Sequence, residues 1–229
     1  MDSEEIFYHG SCYLFEKFSL SFLGAGEGKS KFGHGIYITS SYKTAVLYAT
    51  KAARANGKEC RYVYTVEVPQ ITDDNHIFSC RPVNAEIVSR AENAVGETIP
   101  EEVKSAGKYF RKYLGNLLKG QGSTIKKMMS KADSAAENAA SEFLNKIGVV
   151  YLAWPHSQTK TDGDTNHAVL NENDIRIIMI EQIETEFKDY LEVVPECKET
   201  LKDLVKIQSQ LREKEYEMEK TKEQQKKVL

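Results

Sequence analysis

The chain has 229 residues, 41% hydrophobic and 28% charged, with a formal net charge of −3. That is the balance of an ordinary globular protein, long enough for one elaborated domain or for one domain with an appendage. It contains no run of about 18 apolar residues, so no membrane span is expected.

The start, Met1-Asp2-Ser3-Glu4-Glu5, is acidic and unlike a secretory leader. Cys12, Cys60, Cys80 and Cys197 are scattered without Cys-x-x-Cys spacing. They read as thiols of a reducing compartment, which predicts a cytoplasmic protein without a structural zinc site. Ile6-Phe7-Tyr8 begins a short strand that delivers His9, Gly10 and Ser11, and a glycine-containing loop follows to Phe32. Within it, Gly24-Ala25-Gly26-Glu27-Gly28-Lys29-Ser30 ends like a phosphate-binding loop. The first glycine of that motif would fall at Leu23, however, and the segment leads into a strand rather than a helix. An ATPase is excluded, and the segment reads as a loop beside the site.

A strand is predicted over Gly35–Thr39. Ser40 or Ser41 then caps a helix, Tyr42–Asn56, that stops at Gly57. Ala45, Tyr48, Ala49 and Ala52 share one face of it, turning Tyr48 towards the strand that bears Tyr37. Arg61–Val68 alternates and is rich in Tyr and Val, a strand stopped by Pro69. Residues 84–147 read largely as helix. Strand returns at Gly148–Trp154, and a hairpin of Asn166–Leu170 and Ile175–Ile180 closes the domain. Beyond Pro195 the chain is rich in Lys, Glu and Gln, with Leu201, Leu204, Leu211 and Met218 on a rough heptad line. The expected architecture is α+β. A domain over 1–182 carries split antiparallel sheets and a helical insertion at about 84–147, and a helical appendage occupies 183–229.

The residues with chemical content are His9-Gly10, then Tyr37 and Tyr48 separated by ten residues. Two phenol rings can sandwich a flat cationic ring. A histidine can bond a ribose hydroxyl, and a glycine lets a carboxamide approach the backbone. Nicotinamide is such a ring, so NAD⁺ is the predicted ligand, with His9, Gly10, Ser11, Gly35, Tyr37 and Tyr48 as its contacts.

This pattern resembles the ADP-ribosyltransferase superfamily, on the His–Tyr branch that holds diphtheria toxin and the poly-ADP-ribose polymerases. The likeness covers roughly residues 5–70 and 140–182. It rests on His9, on Tyr37 with Tyr48, and on Thr165-Asn166-His167-Ala168-Val169-Leu170 running to Asp174-Ile175-Arg176. The loop before Gly33 is similar to phage and mobile-element members. The resemblance implies a mono-ADP-ribosyltransferase of toxin or effector type, with NAD⁺ as substrate and no metal. It also implies, as a partner, an inhibitory or antitoxin protein.

The branch's catalytic glutamate falls at Asn166, which can hydrogen-bond but cannot serve as a general base. Glu67, Asp162 and Asp164 are candidates for a substitute carboxylate. A pocket that binds NAD⁺ or ADP-ribose without turnover is the alternative. The rival branch, marked by Arg, Ser-Thr-Ser and Glu-x-Glu, is set aside because the first strand offers His9. Its last motif would be Glu184-Thr185-Glu186, expected to lie beyond the final strand.

The acceptor is read from charge. Lys104 to Lys131 holds eight basic residues and no Asp or Glu, with Tyr109, Phe110 and Tyr113 interleaved. Basic charge with aromatics suits a nucleic-acid backbone and exposed bases. RNA or DNA is therefore preferred slightly over protein as acceptor, with Lys108, Arg111 and Lys112 as contacts. A solvated helix face is the competing reading.

Overall fold

The computed structural model describes residues 4–22, 32–120, 134–155, 165–189 and 192–200. Their core is an eight-stranded mixed sheet. The strands are β1 (Glu4–Ser11), β2 (Ile36–Thr39), β3 (Tyr62–Pro69), β4 (His76–Phe78), β5 (Tyr151–Pro155), β6 (Thr165–Val169), β7 (Arg176–Asp189) and β8 (Glu192–Thr200). They lie in the order β4-β5-β6-β2-β1-β3-β7-β8, and every pairing is antiparallel except β4 with β5. The helices are α1 (Tyr42–Ala55), α2 (Ala85–Val95), α3 (Glu101–Lys104), α4 (Gly107–Leu118) and α5 (Ser134–Lys146). No described helix is long and apolar enough to cross a membrane.

The sheet is one body with a weak joint rather than two separate sheets. β1 and β3 pair along their whole lengths, from Glu4–Pro69 to Ser11–Tyr62. β1 and β2 share a single pair, Tyr8 with Thr39, and then diverge. Beyond that pair, the peptide groups of β1 that face β2 leave the ladder.

Alternation along each strand sends neighbouring side chains to opposite faces. One face carries Phe7, Ile36, Ile38, Tyr62, Tyr64, Val66, Tyr151 and Val169, and the segment after β1 closes over it with Leu14, Phe15 and Phe18. Tyr64 anchors that segment: its hydroxyl accepts from the Phe15 N–H and donates to the Tyr13 carbonyl, both at 2.8 Å. Its ring stacks on Phe15 at 4.2 Å.

The other face lies under the helices in two parts. α1 starts at Ser41, whose hydroxyl accepts from the Thr44 N–H. It lays Ala45, Val46 and Ala49 on Val63 and Ile183. These small residues let the helix come close: a β-carbon on Gly10 would stand 1.9 Å from the Ala45 carbonyl oxygen. Helices α2, α4 and α5 of the insertion form the second part, where Ile87, Phe110, Leu114 and Leu144 pack on Leu152, Trp154 and Ala168. This insertion builds the largest core of the described residues.

The expected helical appendage is corrected over its described part. β7 runs through residue 182 to Asp189, and β8 pairs with it from Glu192 to Thr200. The heptad line at Leu201, Leu204, Leu211 and Met218 lies outside the described residues. Glu184-Thr185-Glu186 lies inside β7, not beyond the last strand.

Candidate functional site

Where β1 and β2 diverge, His9 bridges the opening. Its Nδ1 lies 2.6 Å from the Tyr37 carbonyl oxygen. A carbonyl only accepts, so Nδ1 carries the proton. Phe18 at 5.0 Å, Tyr64 at 6.0 Å and Phe15 at 6.2 Å surround the imidazole edge-on and fix its plane.

Tyr37 projects from the opposite side of the sheet, at the seam between α1 and the helical insertion. Its hydroxyl accepts from the Phe32 N–H at 3.2 Å and donates to the Gly33 carbonyl at 3.0 Å. Gly33 sits at φ +118°, a conformation that side chains rarely adopt. The ring meets Trp154 edge-on at 4.9 Å, and Trp154 stacks on Phe32 at 4.3 Å. Burial pushes the Tyr37 phenol up to about 12, partly offset by the Phe32 N–H and the Arg111 guanidinium. Tyr37 is thus a neutral ring and no proton acceptor at ordinary pH.

Tyr48, on α1, is 42% exposed, and partial burial raises its phenol too. It lies close enough to Tyr37 for the two hydroxyls to interact electrostatically. Asn166 pairs in register with Thr39 and Trp154, and is 3% exposed. That register makes it the diagonal neighbour of Tyr37, about 7–8 Å away. Its Oδ1 has no hydrogen-bond partner. Buried acceptors in that condition are rare and mark strain or a missing ligand.

The structure places Tyr37, Tyr48 and Asn166 on the helical face, whereas the His9 imidazole lies on the aromatic face and meets this region only through its bond to the Tyr37 carbonyl. Other expected contacts have local explanations. The absent side chain of Gly10 is demanded by α1, and a β-carbon on Gly35 would stand 2.7 Å from the Val169 carbonyl oxygen. The Ser11 hydroxyl accepts from the Tyr13 N–H, turning the chain at the end of β1. Glu67 pairs in register with Ile6 and is ion-paired with Arg176, so it is no substitute carboxylate. Asp162 and Asp164 lie outside the described residues.

The basic stretch is not a continuous patch. Arg111 is corrected from surface contact to core residue: it is 3% exposed and paired with Glu137. Lys104 is paired with Glu92 and Glu101. Lys108 is exposed and lies over the Tyr109 ring at 4.7 Å, and Lys112 is half-buried. Lys126, Lys127 and Lys131 lie outside the described residues.

Sequence reasoning missed Phe32, Trp154 and the Arg111–Glu137 pair. One signal was present. Arg111 stands between Gly107 and Gly115 at i−4 and i+4, a stripe of close helix approach rather than a solvated face. There, β-carbons would meet Ile77 at 2.4 Å and the Ala136 carbonyl oxygen at 2.4 Å. Among the described residues no three His, Cys, Asp or Glu side chains are grouped to hold a metal ion. Compared with known proteins, the chain matches no family model and no curated protein sequence.

Proposed function

We propose that this chain binds NAD⁺ at the seam between α1 and the helical insertion and acts as a mono-ADP-ribosyltransferase of toxin or effector type. The observation that carries the reading is the His9–Tyr37 bridge across the β1–β2 opening, with the exposed Tyr48 ring and the unpartnered Asn166 beside it.

In this mechanism Tyr37 and Tyr48 hold the nicotinamide ring, and His9 holds the Tyr37 backbone in place from the other face of the sheet. The bond between nicotinamide N1 and C1′ breaks, and nicotinamide leaves as a neutral amide. A bond from the acceptor nucleophile to C1′ forms, and the acceptor's proton passes to solvent. Asn166 Oδ1 would accept from ribose as positive charge develops at C1′, through a dipole fixed in advance. A neutral amide supplies less stabilisation than a carboxylate, which favours a single transfer over polymer formation.

The same neutrality supports a second reading, an NAD⁺ or ADP-ribose-binding module without turnover. One experiment separates the two. Radiolabelled NAD⁺ is incubated with the protein and cytoplasmic lysate, nicotinamide release is followed, and the products are treated with nuclease or protease. Nicotinamide release with label lost to nuclease supports transfer to RNA or DNA, and label lost to protease supports a protein acceptor. Saturable binding without release supports the module. Absence of both binding and release overturns the site.

A further inference from the structure

Arg111 and Glu137 are both 3% exposed, on α4 and α5. Arg111 Nε lies 2.5 Å from Glu137 Oε2 and Nη2 lies 3.3 Å from Oε1, a forked pairing. Replacing a buried ion pair of this kind by apolar side chains is often neutral or stabilising, so stability alone is a weak account of its presence. The third arm is informative. Nη1 donates to the Phe32 carbonyl at 2.7 Å. The Phe32 N–H donates to the Tyr37 hydroxyl, and the Tyr37 carbonyl takes the His9 imidazole. Hydrogen bonds joined through the covalent frames of Phe32 and Tyr37 thus connect α5, through α4 and the strand-entry loop, to β1.

We propose that the Arg111–Glu137 pair is a positioning device that sets the Tyr37 ring, acting through the Phe32 carbonyl. Glu137 fixes the guanidinium plane, the guanidinium fixes Phe32, and Phe32 fixes the phenol through its N–H and through its stack on Trp154. A lysine cannot do this, because an ammonium lacks the planar fork that serves a carboxylate and a carbonyl at once. The helical insertion thereby reaches the ligand ring without touching it. The inference rests on the reading of Tyr37 as a ring-stacking surface, and its test has an arm independent of that reading.

Trp154 is the only tryptophan, so its fluorescence reports this corner of the molecule alone. The full chain is compared with Arg111→Met/Glu137→Leu, which removes the pair without leaving a bare charge, and with Arg111→Lys, which keeps the charge pair but loses the fork. Both variants are expected to unfold cooperatively near the wild-type midpoint. The acrylamide quenching constant of Trp154 should rise about twofold as Phe32 loosens, and the NAD⁺ Kd should rise about tenfold. Folded variants with wild-type quenching and wild-type NAD⁺ affinity would overturn the proposal. If the wild type itself binds no NAD⁺, the functional reading fails, and the quenching arm still decides the positioning role. If the double variant does not fold, Arg111→Lys decides it.

Discussion

The two faces of the sheet surround their polar residues differently, although those residues are neighbours in sequence. His9 and His167 belong to the face filled by Phe7, Phe15, Phe18, Tyr64 and Tyr151, where ring packing at 5.0–6.2 Å holds both imidazoles. By strand register, Tyr37, Thr65, Asn166 and Glu181 belong to the face under the helices. There Thr44 Oγ1, Thr65 Oγ1, Asn166 Oδ1 and Glu181 Oε2 are buried without partners. The aromatic face is sealed mainly by ring packing, although His167 Nδ1 is buried there without a partner. The helical face carries more of this unmet hydrogen-bonding capacity.

The strongest way to break this contrast is to strip one charge from the helical face. Arg111→Ala should leave Glu137 buried and unpaired, at a cost of about 3–5 kcal/mol by urea unfolding. A loss below about 1 kcal/mol would mean that water reaches the pair and that the face is not closed there.

A smaller effect comes from the aromatic face. Burial holds His167 down to about 4, against 6.5 for a free imidazole, with His76 nearby adding to the depression. The unfolded chain therefore binds a proton below about pH 6.5 while the folded one stays neutral, so stability is present above that pH and is lost as pH falls towards 4. The loss should approach roughly 3 kcal/mol between pH 7 and pH 4. Carboxylates titrate over part of the same range, so the informative quantity is the difference between wild type and His167→Phe in urea melts at each pH. Parallel curves would place His167 in contact with water.

Tyr48→Ala should sharpen the contrast by separating stability from binding. With its ring 42% exposed, its removal should shift stability by less than about 0.5 kcal/mol. Loss of a stacking face should weaken NAD⁺ by about 1–3 kcal/mol in calorimetry. Unchanged affinity in this variant would remove Tyr48 from the site.

The smallest expected effect has an unusual sign. Asn166→Leu replaces an unpartnered buried acceptor by an apolar side chain of similar size, so the protein should be as stable as wild type or more stable by up to about 1 kcal/mol. NAD⁺ turnover should fall in the same variant. A clear loss of stability would show that Asn166 serves the fold rather than a ligand.

Much of this was legible along the chain because its causes are local. The period-2 pattern of Arg61–Val68 and the Ser41 cap before the alanine face of Tyr42–Ala55 specify their elements within a few residues. The two strands expected after Thr165 are there as well, but the hairpin between them does not form: β6 pairs with β2 and β5, while β7 pairs with β3 and β8 on the far side of β1. Reading residues 183–200 as helix failed because a Lys- and Glu-rich composition says little about pairing: β8 forms against a β7 that runs past residue 182. Likewise the block from Lys104 to Lys131 was counted as surface charge because partners distant in sequence, Glu137 for Arg111 and Glu92 for Lys104, do not enter a local count.

The sequence by itself thus determined which residues could hold a cationic ring, because phenol, imidazole and glycine carry that chemistry wherever they stand. Only the tertiary structure decided on which face of the sheet each of them lies and which cation is buried. It also showed that Gly10 is a packing requirement of α1. Those outcomes depend on strand register and helix approach, where a shift of one residue moves a side chain to the opposite face of the sheet.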